Sequence, residues 1–195
     1  MSTGRKLFIA IDPPGEIKDA IEQLIASDKQ AHPESYRDAR MTAKENWHIT
    51  LFFLGEQPEQ HIPTIEQAIV DSIEQMPAPT ITLNMLTTAP PHRPPRMLWA
   101  TTTEESNTTL APIKKHIERL LAHHAIHPQG ETVSTFRGHI TLARLPEGRR
   151  IADHLLSFPH TLSFTPSTIK LMETTSTPSG AQYAIVNSID FKPSV

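Results

Sequence analysis

The chain has 195 residues, 37% hydrophobic and 20% charged, with a formal net charge of −3 and no cysteine. At about 150 residues per domain, this length predicts one large domain or two small lobes sharing a core within 1–195, and the lack of cysteine excludes disulfides, thiolate chemistry and cysteine–zinc sites. The acidic balance argues against sequence-independent grip on long duplexes, which needs a basic face, but not against recognition of a single phosphate group.

Lys6-Leu7-Phe8-Ile9-Ala10-Ile11-Asp12 reads as a first strand, closed by Pro13-Pro14-Gly15. Nothing from Met1 to Asp12 has the order of basic region, apolar core and small-residue cleavage site. No run approaches the ~18 apolar residues of a membrane span. A cytoplasmic protein with no membrane partner is therefore expected. Ile17, Ala20, Ile21, Leu24 and Ile25 then recur at helical spacing, and proline is tolerated at such a start because the first amide hydrogens have no helical partner. The polar stretch from Ser27 to Lys44 reads as a surface loop. Trp47 to Leu54 is an apolar strand stopped by Gly55 and Pro58. Ile62, Ile65, Ile69, Ile73 and Met76 mark a second helix, ended by Pro77 and Pro79, and Ile81 to Leu86 a third strand.

The proline-rich run Ala89 to Pro95 contains P-x-x-P, and reads as a rigid connector in preference to a partner ligand. Arg96 to Thr101 resumes a strand. Leu110, Ile113, Ile117, Leu120, Leu121 and His124 form a helical stripe, with Pro112 assigned to its first turn. Phe136 to Leu145 is a further strand and Ile151 to Leu156 a short helix. Thr168 to Met172 and Tyr183 to Ile189 form a final strand pair joined by Pro178-Ser179-Gly180. The connections are too irregular for a regular parallel βαβ series, so the class predicted is α+β.

One element occurs twice. Residues 46–54 read N-W-H-I-T-L-F-F-L and residues 136–145 read F-R-G-H-I-T-L-A-R-L. With 11 His, 22 Thr and 16 Leu in the chain, chance yields about one H-x-T and about 0.1 H-x-T-L, so two copies are roughly a half-per-cent event. Strand alternation projects His48 and Thr50 together, about 7 Å apart, while Ile49 and Leu51 enter the core. His139 and Thr141 do the same. If a pseudo-two-fold axis relates the halves, the two pairs face each other across a small polar volume.

An imidazole titrates near pH 6.5, so one of a close pair can be neutral and the other protonated, as concerted general base and acid catalysis requires. Threonine hydroxyls at that spacing can donate to the non-bridging oxygens of a phosphate. A single H-x-T is more often a hydrogen-bonded structural histidine; duplication on strands reverses that preference. Imidazoles also bind zinc, but each motif offers one ligand with no Asp or Glu at ligand spacing. A metal-free site without cofactor is preferred.

These residues resemble the two-histidine phosphoesterase superfamily, and within it the RNA 2′,3′-cyclic phosphodiesterases historically called 2′-5′ RNA ligases. The matching segments run nearly end to end: K-L-F-I-A-I-D-P-P, E-N-W-H-I-T-L-F-F-L-G-E, P-P-R-M-L-W-A, T-F-R-G-H-I-T-L-A-R and S-G-A-Q-Y-A-I-V. The resemblance implies two pseudo-symmetric lobes of antiparallel sheet flanked by helices, with a central cleft holding both motifs. It implies His48 as general acid (proton donor), His139 as general base (proton acceptor), and Thr50 and Thr141 as phosphate binders. It also implies a monomer acting on RNA ends or small cyclic nucleotides, opening 2′,3′-cyclic phosphates to the 2′-phosphomonoester, with 2′-5′ ligation as the reverse. The alternative is a binding module on the same scaffold that holds a nucleotide or RNA end without turnover; the intact His and Thr of both motifs favour the enzyme.

Two positions depart from the family pattern. Phe52 stands where a basic residue is frequent, and alternation places it on the His48 face as a stacking surface for a base. Gly138 replaces the usual proline before the second histidine, which loosens the start of that strand. Arg144 matches the arginine of the family's T-L-A-R as a phosphate contact, although strict alternation turns it away from His139 unless the strand bulges. Arg137 divides evenly between cleft rim and solvent, and Phe8 between the cleft and a preferred place in the core. His123, His124 and His127 cluster at a helix end without H-E-x-x-H, as ordinary dipole partners. No G-x-S-x-G, Walker A or G-x-G-x-x-G sequence occurs.

Overall fold

The computed structural model describes residues 4–74, 76–90, 93–127, 136–146, 156–177 and 180–192. Its strands are β1 (Arg5–Ile11), β2 (Arg40–Met41), β3 (Ile49–Gln57), β4 (Ile81–Ala89), β5 (Met97–Thr102), β6 (His139–Arg144), β7 (Leu156–Phe164), β8 (Thr168–Thr177) and β9 (Gly180–Asp190). The helices are α1 (Gly15–Ala31), α2 (Ile62–Glu74) and α3 (Glu104–His123). The strands form one sheet in the order β7-β4-β5-β6-β3-β1-β8-β9, with β2 paired to β6. Every pairing is antiparallel, as the α+β reading expects.

The sheet divides at its middle, where β3 and β6 meet at one register pair, Ile49 with Ile140. Four strands lie on one side, β3-β1-β8-β9, and five on the other, β6-β5-β4-β7 with β2 added to β6, and these are the two lobes. One face of the sheet is apolar. Leu7, Ile9 and Ile11 of β1 join Ile17, Ile21 and Ile25 of α1, Ile65, Ile69 and Ile73 of α2, and Leu110, Ile113, Ile117 and Leu121 of α3 in a single buried cluster. Each such side chain contributes about 1.5–3 kcal/mol on burial, so the helical stripes read from the sequence hold the helices to that face. Phe8, alternating with Leu7 and Ile9, turns to the opposite face and reaches His48.

Several expectations change at this level. The stretch from Ser27 to Lys44 is not a loop throughout: α1 continues to Ala31, a 3₁₀ turn covers Pro33–Tyr36, and β2 follows. A buried carboxylate organises the turn, since Asp28 accepts from the Tyr36 hydroxyl at 2.5 Å and pairs with His32 Nδ1 at 3.0 Å. Pro112 lies inside α3, because that helix starts earlier, where the Thr103 side chain caps the amide of Ser106 at 3.2 Å. Proline costs a helix interior about 3 kcal/mol, and the buried Leu110–Leu121 stripe offsets that cost. Leu156, expected to end a short helix, instead begins β7, which pairs with β4 from Ile81–Phe164 inward; residues 151–155 lie outside the described residues. The strand contains Pro159, which an edge position tolerates. Ala89 to Pro95 connects β4 to β5 at the Ala89–Met97 pair, with Pro91 and His92 outside the described residues, as are Pro178 and Ser179 of the final hairpin. Among the described residues no helix is long and apolar enough to cross a membrane.

Candidate active site

The two H-x-T elements lie on the inner strands of the two lobes. His48 directly precedes β3 and His139 opens β6. In an antiparallel ladder the residues flanking a pair are also neighbours, so the Ile49–Ile140 pair sets His48 beside Thr141 and Thr50 beside His139. All four side chains are half-buried and line one cleft of about 630 Å³, together with Arg40, Arg144 and Tyr183.

Both imidazoles are anchored alike. His48 Nδ1 donates to the carbonyl of Asn46 and His139 Nδ1 to the carbonyl of Arg137, each at 2.8 Å and each to the residue two positions earlier. A carbonyl only accepts, so the proton of the neutral ring sits on Nδ1 and Nε2 is left for chemistry in the cleft. Aromatic side chains flank the rings. Phe8 lies 4.9 Å and Tyr183 5.0 Å from His48, between ring centres, while Trp99 stacks on His139 at 3.7 Å.

Burial pushes His48 below its ordinary pKa; the hydrogen bond to Asn46 and the charge of Asp12 pull it back, while Lys18 and His139 depress it further. Burial also pushes His139 down, against the hydrogen bond to Arg137. Asp12 follows β1 directly, next to the Ile11–Ile49 pair, and Lys18 and Lys170 each reach it at 2.6 Å. Burial opposes its ionisation, but those two hydrogen bonds outweigh it and hold the carboxyl below the usual carboxylate range.

Strict alternation ends just after each threonine. Between β5 and β6 the register passes from Leu98–Ala143 to Trp99–Thr141, skipping Leu142. Between β1 and β3 it passes from Ile9–Phe52 to Ala10–Thr50, skipping Leu51. Each is a bulge that adds one residue and reverses the faces beyond it. On β6 the bulge returns Arg144 to the cleft with Thr141. On β3 it corrects the reading of Phe52, which is buried in the core at 2% exposure with Lys114 over its ring. Phe53, 40% exposed, takes the face of Thr50 instead. Phe8 is likewise no open substrate contact: it is 2% exposed and backs His48. Arg137 is exposed and serves the site through its carbonyl.

Residues 11–99 match the model of the LigT-like phosphoesterases. The chain is 25% identical over 190 residues to the RNA 2′,3′-cyclic phosphodiesterase of Thermotoga maritima, covering 96% of each protein. It is 30% identical over 141 residues to the enzyme of that name from Thermus thermophilus, covering 71% of this chain and 68% of the relative. The chain belongs to the LigT-like phosphoesterase family. Its fold is that of Escherichia coli LigT, with a TM-score of 0.69 at 20% identity over 96% of this chain and 98% of that one.

The motifs do not mark Tyr183 and Trp99, which pack on His48 and His139, or Arg40, which lines this phosphoesterase cleft with Tyr183. The first two lie in segments that resemble the family, Q-Y-A-I-V and M-L-W-A, while Arg40 lay in the stretch taken for a loop. Arg40 is held opposite Arg144 across β2 and β6, and among the described residues neither guanidinium has an acidic partner. His123 and His124 sit at the end of α3, away from the cleft lining. Among the described residues no group of three or more His, Asp or Glu is placed to hold a metal ion.

Proposed function

We propose that this phosphoesterase opens 2′,3′-cyclic phosphates at RNA ends or on nucleotides, without a metal ion, using His48 and His139 as acid and base. The carrying observation is the matched Nδ1 anchoring, which leaves two Nε2 atoms for one cleft. His139 takes the proton of a water whose oxygen bonds to phosphorus. The bond from phosphorus to O3′ breaks, and His48 protonates that oxygen, leaving a 2′-phosphomonoester. When a 5′-hydroxyl replaces water, the same steps make a 2′-5′ linkage. Thr50 and Thr141 donate to the non-bridging oxygens, where negative charge must be held. E. coli LigT complexed with 3′-AMP supports a nucleotide as the occupant of such a cleft.

The opposed arginines favour a substrate with more than one phosphate. Like charges directly opposite on paired strands are destabilising, and an anion between Arg40 and Arg144 would relieve that repulsion. The test offers 2′,3′-cyclic mononucleotides and cyclic-phosphate-ended oligonucleotides to the enzyme with a chelator present, and identifies the product. Turnover to the 2′-monoester is expected on both. Arg40→Ala should raise KM by about tenfold on oligonucleotides, the scale of one charge-assisted contact, and by less on mononucleotides. Binding without turnover would leave a nucleotide-binding module; turnover abolished by chelator would remove the metal-free mechanism.

The depressed histidines also locate the pH optimum. Activity needs one imidazole neutral and the other protonated, so kcat/KM peaks between the two free-enzyme pKa values. Both lie below the ordinary 6.5, so the bell should centre on the acid side of pH 6.5. A bound phosphodiester anion favours the protonated acid, which should move the kcat profile to higher pH. A rate rising steadily with pH would instead indicate hydroxide as nucleophile.

A further inference from the structure

We propose that Asn107 is a positioning residue for His139, acting through the single peptide plane that joins Arg137 to Gly138. The carbonyl of Arg137 receives His139 Nδ1 at 2.8 Å. The amide hydrogen of the same peptide, that of Gly138, donates to Asn107 Oδ1 at 2.7 Å. A peptide group is planar and trans, so its carbonyl cannot turn without its N–H turning too. Asn107 therefore sets the direction of the acceptor that fixes the ring and tautomer of His139. Donation from Gly138 to Asn107 also polarises the amide and strengthens its carbonyl as an acceptor.

The surroundings are built for that one contact. The Thr102 hydroxyl lies 2.7 Å from Asn107 Oδ1 and 2.9 Å from the Gly138 carbonyl, and the Thr102 amide donates to that carbonyl at 3.0 Å. The Gly138 N–H can only donate, which settles that Oδ1 and not Nδ2 faces it, while the one hydroxyl hydrogen of Thr102 is shared between Oδ1 and the Gly138 carbonyl. Thr102, Asn107 and Gly138 are all buried. A Cβ on residue 138 would stand 2.6 Å from Thr102 Oγ1, so the glycine is required by close approach. It does not loosen the strand; its N–H, which a proline would lack, ties the start of β6 to α3. Asparagine is a poor residue inside a helix because its side chain competes for backbone partners, and here the side chain is committed to β6. His48 has no such support: the matching peptide, Asn46–Trp47, donates from Trp47 to the backbone carbonyl of Lys44 at 3.2 Å. The first histidine is held by a turn and the second by a side chain, so His48 serves as an internal control.

The test follows the imidazole nitrogens of the full chain by NMR through a pH titration, alongside kinetics. Wild type is expected to show neutral His139 in the Nδ1–H form. Asn107→Leu keeps the branch at Cγ, with a larger side chain, and removes the acceptor; His139 should then populate both tautomers and titrate at lower pH, with His48 keeping its Nδ1–H tautomer and shifting far less. On a 2′,3′-cyclic nucleotide kcat should fall about 10–100-fold, the scale of a misoriented catalytic group, with KM within about threefold. Asn107→Asp retains an oxygen acceptor and should recover most of kcat, with His139 titrating at higher pH beside the added charge. If Asn107→Leu does not fold, Thr102→Val carries the same test, with the same direction and a smaller shift. The kinetic arm rests on the proposed function and the spectroscopic arm does not: a His139 response without turnover in wild type would overturn the function alone. An unchanged His139 tautomer and pKa in the folded variants, or His48 shifting as far as His139, would overturn the role of Asn107.

Discussion

Replacing His48 or His139 with alanine is expected to lower cyclic-phosphate opening by about 10²–10⁴-fold, the usual contribution of a general acid or base. Both rings line one cleft and both present Nε2 through the same backbone anchor, so the losses should be similar in size. The proposed step uses them together: without the base no proton leaves the attacking water, and without the acid the leaving oxygen departs as an alkoxide. The double variant should therefore lose much less than the product of the single losses, as residues acting in one step are non-additive. His48 also packs against Phe8 and Tyr183, and His139 against Trp99, so alanine leaves a gap beside aromatic rings. Asparagine at either position gives a polar control that fills more of it. Near-wild-type rates for either alanine variant would sink the assignment of the histidines.

Thr50→Val and Thr141→Val should each lose about 10–10³-fold in rate while folding normally, the scale of one lost transition-state hydrogen bond. Valine keeps the β-branched shape that suits a strand and deletes only the hydroxyl donor. Both threonines are half-buried on the inner strands, and each stands beside the histidine of the opposite lobe. Their hydroxyls thus reach the space between the imidazoles from both sides. The loss should fall more on kcat than on KM if the bonds strengthen as charge develops on the phosphate. A phosphate soaked into crystals should lie within hydrogen-bonding distance of both hydroxyls. Full activity in both valine variants would make the threonines strand formers and nothing more.

Legibility along the chain followed the range of the forces involved. The helical stripes of Ile17–Ile25, Ile62–Ile73 and Leu110–Leu121 are local, because 3.6-residue spacing selects a buried face whatever it packs against, and all three helices formed. Alternation placed His48 with Thr50 and His139 with Thr141 for the same reason. It failed one residue later at both strands, where Leu51 and Leu142 are inserted as bulges. A bulge is a property of the pairing with β1 or β5, so period-two reasoning put Phe52 in the cleft and left Arg144 in conflict with its own pattern. The edge strand β7 was hidden by its proline, and β2 by a polar context that only pairing with β6 turns into a strand.

The sequence by itself determined the chemistry on offer: two H-x-T elements on strands, no cysteine, and an α+β layout of alternating strands and amphipathic helices. Those properties depend on residue identity and short-range period. Tertiary structure alone decided that residues 91 positions apart share one cleft, because a single Ile49–Ile140 pairing brings the lobes together. It alone decided the burial that depresses both imidazoles, and the alignment of Arg40 with Arg144. It also recruited Asn107 from a helix to hold the peptide that leads into a distant strand. Each of these is a contact between segments far apart in the chain, and no local pattern encodes the partner of a hydrogen bond that closes only when the whole sheet has formed.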